Sequence, residues 1–148
     1  MSVSIADKHP YLDVDPEFIH EAALLHDIGM IYTRAEDIGC HGSLPYICHG
    51  YLGADLLRNE GFPRHALVAE RHTGTGLSLE YIRSHNLPLP HRDMCPVSFE
   101  EQIICFADKF FSKTNMHKMK TLDEVRLQLS RYDDNGLAQF DKWVKLFM

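Results

Sequence analysis

Helix start and stop signals divide almost the whole chain into short segments, and this pattern limits the fold more than any other feature. Asp15 and Pro16 combine a capping aspartate with a proline at the first helical position, and Gly29 is a natural stop for the helix that follows. Residues 98–101 and 121–124 have the spacing of capping boxes. No segment shows sustained alternation of apolar and polar residues. We therefore predict an all-α fold, a single compact helical bundle.

The remaining signals set the expected boundaries. Pro10 ends an N-terminal helix, Gly61 ends a third helix, and the Thr-Gly-Thr-Gly stretch at 73–76 ends a fourth. A long polar loop at residues 30–44 is expected to be functional, because loops of this length are uncommon in small helical domains. The expected helices span residues 2–9, 16–28, 45–60, 63–72, 78–86 and 98–113, then run from 121 to a break at Asn135-Gly136 and from 137 to 147.

Length and composition fit one soluble domain, residues 1–148. A net charge of −6 leaves no excess of Lys and Arg to neutralise phosphates, so we expect no general binding of nucleic acid. No stretch is apolar enough to cross a bilayer, and the first residues lack the apolar core of a secretory signal, so we expect a cytoplasmic protein without a membrane partner. The four cysteines form no CxxC pair and are expected to be reduced thiols. The sequence leaves the oligomeric state open.

Polar residues on apolar helix faces are the main functional signal. His26 lies one turn after Ala22 on the inner face of its helix, and Asp27 follows it directly. Asp108 shares an apolar stripe with Ile104. An unpaired buried charge costs several kcal/mol, so each of these side chains needs a partner. Taken singly, a His–Asp pair or an ion pair with an arginine would satisfy them.

Two further histidines occupy comparable positions. His49 shares a helix face with Leu52, beside a glycine at position 50 that permits close backbone approach. His72 ends the fourth helix, immediately before the Thr-Gly-Thr-Gly stretch. Taken alone, a histidine in either position is more often an ordinary core or surface residue than a metal ligand, so the argument depends on the order of the whole set.

Together these residues resemble the HD superfamily of metal-dependent phosphohydrolases, specifically its HDIG branch. The resemblance covers residues 16–113 and implies an HD-type helical core, on which helices at 121–147 would pack. The matching stretches are Ala-Ala-Leu-Leu-His-Asp-Ile-Gly at 22–29, His-Gly at 49–50, Glu-Arg-His-Thr-Gly at 70–74 and Phe-Ala-Asp-Lys at 106–109.

The resemblance implies a set of metal ligands. His26, Asp27 and Asp108 would bind a first divalent ion, and His49 and His72 would hold a second, with Asp27 as a possible bridge between the two. One or two ions are therefore expected, and His/Asp ligation suits Mn, Fe, Zn or Ni without choosing among them.

The reaction implied is hydrolysis of a phosphate ester or anhydride of a nucleotide or another small phosphorylated metabolite. Asp27 is expected to be catalytic through the metal-activated water. Arg71 and Lys109 flank proposed ligands and are candidates both for catalysis and for substrate binding, and Thr73 and Lys113 are further candidates for substrate binding. The Arg-His-Thr-Gly stretch is also similar to the bacterial diadenosine tetraphosphate hydrolases.

The chain departs from these families in several places. Compared with those hydrolases it has an inserted Thr-Gly and an additional loop at 87–96. The wider HD pattern begins with another histidine, one helix before the His-Asp pair, and neither His9 nor His20 is a good substitute. Either the native start lies upstream of Met1 or a ligand has been lost. The alternative function is therefore a non-catalytic metal- or nucleotide-binding module, whereas a purely structural bundle would leave His26 and Asp108 unexplained.

Overall fold

A computed structural model of the protein describes residues 1–112, 118–132 and 134–148. Within these residues the chain is mostly helical, as the sequence predicts, and it also contains one small sheet. No described helix is long and apolar enough to cross a membrane. The helices are α1 (Ser2–Lys8), α2 (Pro16–Leu25), α3 (His49–Asn59), α4 (Pro63–Arg71), α5 (Leu79–Ser84), α6 (Phe99–Asp108), α7 (Leu122–Leu129) and α8 (Asp134–Phe147), and the strands are β1 (Thr33–Ala35), β2 (Cys40–His41) and β3 (Leu44–Pro45).

The sheet corrects the all-α prediction in one segment. Residues 30–44, expected to be a loop, form most of a sheet with the strand order β2-β1-β3. β1 pairs antiparallel with β2 and parallel with β3. Strands of two or three residues are too short for alternation of apolar and polar side chains to be visible in the sequence.

Three helix boundaries also differ from the expected ones. A short 3-10 turn at Tyr46–Cys48 precedes α3, which therefore begins at His49 and not at residue 45. Helix α6 ends at Asp108, several residues before the expected end at 113. The Asn135-Gly136 pair lies in the first turn of α8 and does not separate two helices.

The predicted capping signals start three of the helices. The Asp15 carboxylate accepts hydrogen bonds from the first backbone N–H groups of α2. Thr121 and Glu124 form the complete capping box of α7. Ser98 caps α6, but the box there stays open because the Glu101 carboxylate accepts hydrogen bonds from Val97 and from an arginine of α4. Side-chain caps therefore fix where these helices begin.

The main hydrophobic core lies between α1, α2, α6, α7 and α8. Phe106 of α6 is fully buried at its centre and packs against the rings of Phe110, Phe140 and Phe147. The indole N–H of Trp143 donates a hydrogen bond to the Gln102 side chain at 2.9 Å, which joins α8 to α6. This core holds α2 and α6 together, and the carboxyl ends of both helices point to the same region.

A close contact between backbones positions the turn after α2. A Cβ atom added at Gly29 would lie 2.1 Å from the His49 carbonyl oxygen and 2.3 Å from the Gly53 nitrogen. Gly50 approaches α4 in a similar way, because its Cβ position is 3.0 Å from the Ala69 carbonyl oxygen. Glycines therefore allow the turn after α2, the start of α3 and the end of α4 to meet.

Candidate metal centre

Five histidine and aspartate side chains meet where four helices end or begin. His26 follows the last residue of α2, and Asp27 comes directly after it. His49 is the first residue of α3, His72 follows the last residue of α4, and Asp108 is the last residue of α6. Their ligand atoms form two overlapping groups that could each hold an ion, one of His26, His72 and Asp108 and the other of Asp27, His49 and His72.

The Asp27 carboxylate lies between the two halves of the cluster. Its Oδ2 is 3.2 Å from His26 Nε2, and its Oδ1 is 3.4 Å from His49 Nε2 and 3.3 Å from His72 Nε2. Asp108 Oδ1 is 3.4 Å from His26 Nε2, and the Nε2 atoms of His49 and His72 are 3.0 Å apart. Each oxygen of Asp27 therefore faces a different part of the ligand set, as a bridging carboxylate would.

Backbone carbonyl groups orient all three imidazole rings. In each histidine Nδ1 lies within hydrogen-bond distance of the carbonyl oxygen three residues earlier, so Nδ1 carries the proton and donates. In the neutral ring Nε2 is then the lone-pair atom, and it faces the cluster. The bonds run from His26 to Ala23 at 2.7 Å, from His49 to Tyr46 at 2.7 Å and from His72 to Ala69 at 2.8 Å.

This arrangement fits a divalent metal ion. Two neutral imidazoles with lone pairs 3.0 Å apart, as in His49 and His72, repel each other unless a cation lies between them. His26 Nε2 is buried and faces the carboxylates of Asp27 and Asp108, but within the described part of the chain neither contact has hydrogen-bond geometry. Atoms bound to one ion at about 2.1 Å lie roughly 3.0–3.4 Å from their neighbours, which is the spacing seen here.

The electrostatics of the cluster also favour a bound cation. Burial alone would raise the pKa of Asp27, but the neighbouring imidazoles of His26 and His72 hold it well below its usual range. Burial opposes protonation of His26, yet the carboxylates of Asp108 and Asp27 raise its pKa to about 10. Two carboxylates in a poorly hydrated cluster thus require positive charge, which a proton on His26 or a metal ion can supply.

Lys109 and Cys105 stabilise the inner side of the cluster. The Lys109 ammonium is 3.0 Å from Asp108 Oδ2 and donates a hydrogen bond to the His72 carbonyl oxygen at 3.2 Å. The Cys105 thiol donates to the same carbonyl at 3.3 Å, and burial raises its pKa to about 12, so it remains a thiol. The pKa of Asp108, which burial would raise, is held well below its usual range chiefly by Lys109.

Arg71 and Thr73, two of the other residues predicted to bind or act on a substrate, flank His72 in the chain. The Arg71 guanidinium is paired with both carboxylate oxygens of Glu101, at 2.9 and 3.1 Å, and so joins α4 to α6. Thr73 is half-buried, and its hydroxyl lies 3.3 Å from the Cβ position of Gly50. Lys113 lies outside the described residues. Contact of any of these with a substrate stays a prediction.

The sequence interpretation overlooked two buried glutamates. Glu101 appeared only as part of a capping box, and Glu70 only as part of a family motif. Glu70 is 5% exposed and pairs with Arg58 of α3 at 3.1 Å and with Arg92 of the loop after α5. Asp108 was noticed because it is a carboxylate on an apolar helix stripe. The same criterion also identifies Glu101, seven residues before Asp108, and Glu70, one turn after Ala66.

Neither candidate for the additional family histidine joins the described ligand groups. His9 Nδ1 donates to the Ile5 carbonyl oxygen at 2.8 Å, and His20 is exposed on α2. The described ligands therefore come from residues 26–108.

The chain is similar to one known protein family and to several individual proteins. A family model described as HD domain matches residues 1–112. An uncharacterized protein of Methanocaldococcus jannaschii is 37% identical over 124 residues, which are 83% of this chain and 64% of that protein.

Two proteins named tRNA (cytidine(56)-2'-O)-methyltransferase are also similar. The one from Picrophilus torridus is 30% identical over 83% of this chain and 31% of its own length, and the one from Thermoplasma volcanium is 31% identical over 91% of this chain and 32% of its own length. The chain thus spans less than two thirds of each of these relatives. No solved structure matches significantly.

Proposed function

Because the chain belongs to the HD domain family, we propose that it is a metal-dependent phosphohydrolase that cleaves a phosphate ester or anhydride of a nucleotide or another small phosphorylated metabolite. The observation that carries the proposal is the meeting of five His and Asp side chains whose imidazoles all direct Nε2 into one cluster. A structural bundle has no need for two half-buried carboxylates and three oriented imidazoles at one point.

His26, Asp27 and Asp108 would hold a first ion, and His49 and His72 a second, with Asp27 between them. The bound metal supplies an activated water near neutral pH and polarises a phosphoryl oxygen. The chain itself supplies orientation, since the bonds from Nδ1 to the backbone keep each ring in place. The depressed pKa of Asp27 keeps this side chain a carboxylate, and therefore a ligand, at neutral pH.

The surrounding cations have separate proposed roles. Lys109 lies against Asp108 and the His72 carbonyl, so it would balance charge and hold two ligands in position. Arg71 is fixed by Glu101 next to His72, from where it would act on the developing charge of a phosphoryl group. Thr73 and Lys113 complete the proposed substrate contacts.

The alternative is a non-catalytic metal- or nucleotide-binding module. One observation favours it: the matched region makes up about a third of two longer proteins that are named for a different activity, tRNA methylation. A region of this family can therefore occur as one part of a larger protein, where binding alone could be its contribution.

The first experiment is elemental analysis of the purified protein and of two variants, Asp108→Ala and Asp123→Ala. Asp123 of α7 has a 96% exposed side chain, belongs to neither ligand group and serves as the matched control. We expect metal in the wild type and in Asp123→Ala, and a sharp loss in Asp108→Ala. The metal found would then be used to test phosphate release from a panel of nucleotides and simple phosphate esters.

The outcomes separate the two functions. Metal-dependent phosphate release that Asp108→Ala abolishes would support the hydrolase. Tight nucleotide binding without turnover in the metal-loaded protein would support the binding module. Protein that takes up no metal after supplementation with Mn, Fe, Zn or Ni would contradict the metal-dependent hydrolase and leave the nucleotide-binding module as the proposed function.

A further inference from the structure

The small sheet after the Asp27 turn carries two exposed basic side chains next to each other. Arg34 of β1 is the direct partner of His41 of β2 in the antiparallel register. Directly opposed residues on paired strands project from the same face of a sheet, with Cβ atoms about 5 Å apart. Both residues are exposed, whereas Thr33, the neighbour of Arg34 on β1, is fully buried. The outer face of the sheet therefore presents a guanidinium beside an imidazole.

Neither side chain has a partner among the described residues. Neither the Arg34 guanidinium nor the His41 imidazole forms a hydrogen bond, an ion pair or a ring contact with them. Most other described arginines are paired: Arg58 and Arg92 with Glu70, and Arg71 with Glu101. An arginine that faces an imidazole instead of an acid offers its planar fork of donors to an external anion.

The pairing of β1 with β3 places Arg34 close to the metal centre. Arg34 is the Cα partner of Pro45, and the next residue, Tyr46, accepts the hydrogen bond from His49 Nδ1. Strand spacing, one peptide unit and that hydrogen bond together limit the distance from Arg34 Cα to the His49 ring to about 14 Å. An extended arginine side chain and a short chain of phosphoryl groups can span this distance together. Near the upper end of this range, the Arg34 guanidinium would meet a second phosphoryl group of such a chain and not the one held at the ligands.

We propose that Arg34 and His41 form an anion subsite beside the metal centre, which binds a phosphoryl group other than the one being cleaved. The inference rests on the proposed phosphohydrolase function and deepens it by naming a substrate class: compounds with a chain of two or more phosphoryl groups, in preference to phosphate monoesters. Arg34 provides a bidentate contact to a phosphate oxygen pair, and His41 donates an N–H from the neighbouring strand.

The test compares the affinities of two inorganic probes, orthophosphate and tripolyphosphate. Calorimetric titrations would use protein loaded with Mn²⁺, with free Mn²⁺ in excess over the probe so that the probe does not remove the metal. The variants are Arg34→Ala, His41→Ala and, as a matched control, Arg131→Ala, which removes an exposed arginine after α7. A charge-assisted hydrogen bond contributes enough for Arg34→Ala to weaken tripolyphosphate binding roughly tenfold or more.

We expect Arg34→Ala to lower the affinity for tripolyphosphate while the affinity for orthophosphate changes less than about twofold. His41→Ala should have a smaller effect of the same kind, and Arg131→Ala none. Equal losses for both probes, no loss in Arg34→Ala, or an equal loss in Arg131→Ala would overturn the subsite. If the subsite discriminates between the probes but no substrate is hydrolysed, the proposed catalytic function fails while the anion subsite stands.

Discussion

At the scale of single residues, the candidate metal centre requires glycine at position 29, because a side chain there would overlap the backbone of α3. Changing Gly29 to alanine would place a methyl group 2.1 Å from the His49 carbonyl oxygen, and this neighbour is backbone that cannot rotate away. We expect the turn that carries Asp27 to move away from α3, the free energy of unfolding to fall by about 1–3 kcal/mol, and the metal content to drop. Urea unfolding of protein treated with chelator, together with elemental analysis, would measure both effects.

The control for that substitution is Gly39→Asn. A Cβ atom at Gly39 meets nothing within 4 Å, and asparagine tolerates its left-handed backbone better than other residues do. This variant should bind metal like the wild type. Normal metal content in Gly29→Ala would show that the contact between the turn and α3 does not position Asp27.

The individual residues of the cluster were predictable, but their mutual geometry was not. His26, Asp27 and Asp108 are noticeable because they are polar on apolar faces, and a helix pattern reveals such positions directly. The hydrogen bonds from Nδ1 to carbonyl groups depend on where each helix ends, and the sequence places ends only to within a few residues. Arg34 and His41 had no signal at all, because their pairing depends on a sheet that the sequence does not reveal.

At the scale of elements, the capping box of α7 can be tested independently of the metal centre. Replacing Thr121 with alanine removes the acceptor for the Glu124 N–H and opens the box. We expect a loss of about 1 kcal/mol, which lowers Tm by roughly 2–4 °C in a chain of this size. Thermal unfolding followed by circular dichroism would measure the change.

Ser130→Ala is the comparison for Thr121→Ala. Ser130 lies at the other end of α7, where its hydroxyl donates to the Leu127 carbonyl oxygen and does not cap a helix start. Its loss should change stability by less than about 0.5 kcal/mol. Equal effects of the two substitutions would mean that the box contributes nothing specific to α7.

Elements with strong local signals were predicted well, and short elements were not. α2 begins with a capping aspartate and a proline, and α4 also begins with a proline, so both starts were predicted correctly. The three strands have neither length nor alternation, and β1 and β2 depend on contacts with the 3-10 turns next to them in the chain. The Asn135-Gly136 pair was misread as a helix break, since packing of α8 on the core overrides its weak helix propensity.

At the scale of the whole molecule, the five proposed ligands come from elements other than the C-terminal helices α7 and α8. The centre is built on α2, α3, α4 and α6, while Phe140 of α8 is fully buried in the core, where it packs against Phe106 of α6. Phe140→Ala should therefore lower the free energy of unfolding by about 3–5 kcal/mol. The protein that remains folded at low temperature should bind as much metal per chain as the wild type.

Leu127→Ala provides the matched control, because Leu127 is 59% exposed on the neighbouring helix and its truncation leaves no cavity. Denaturant unfolding gives the stability of each variant, and metal content is measured on the folded fraction after gel filtration. A folded Phe140→Ala protein without metal would show that the C-terminal helices shape the ligand geometry after all.

The proposed ligands are far apart in the sequence, and this separation affects when during synthesis and folding the site can form. The Asp27 carboxylate approaches histidines that come later in the chain, and Asp108, from near the end of the matched region, must reach His26 from its beginning. Contacts between residues so distant in sequence form late in folding, because the intervening chain must be ordered first. A ribosome-bound chain that has not yet emerged as far as Asp108 lacks a complete candidate site, so the proposed metal binding would follow synthesis of residues 1–108.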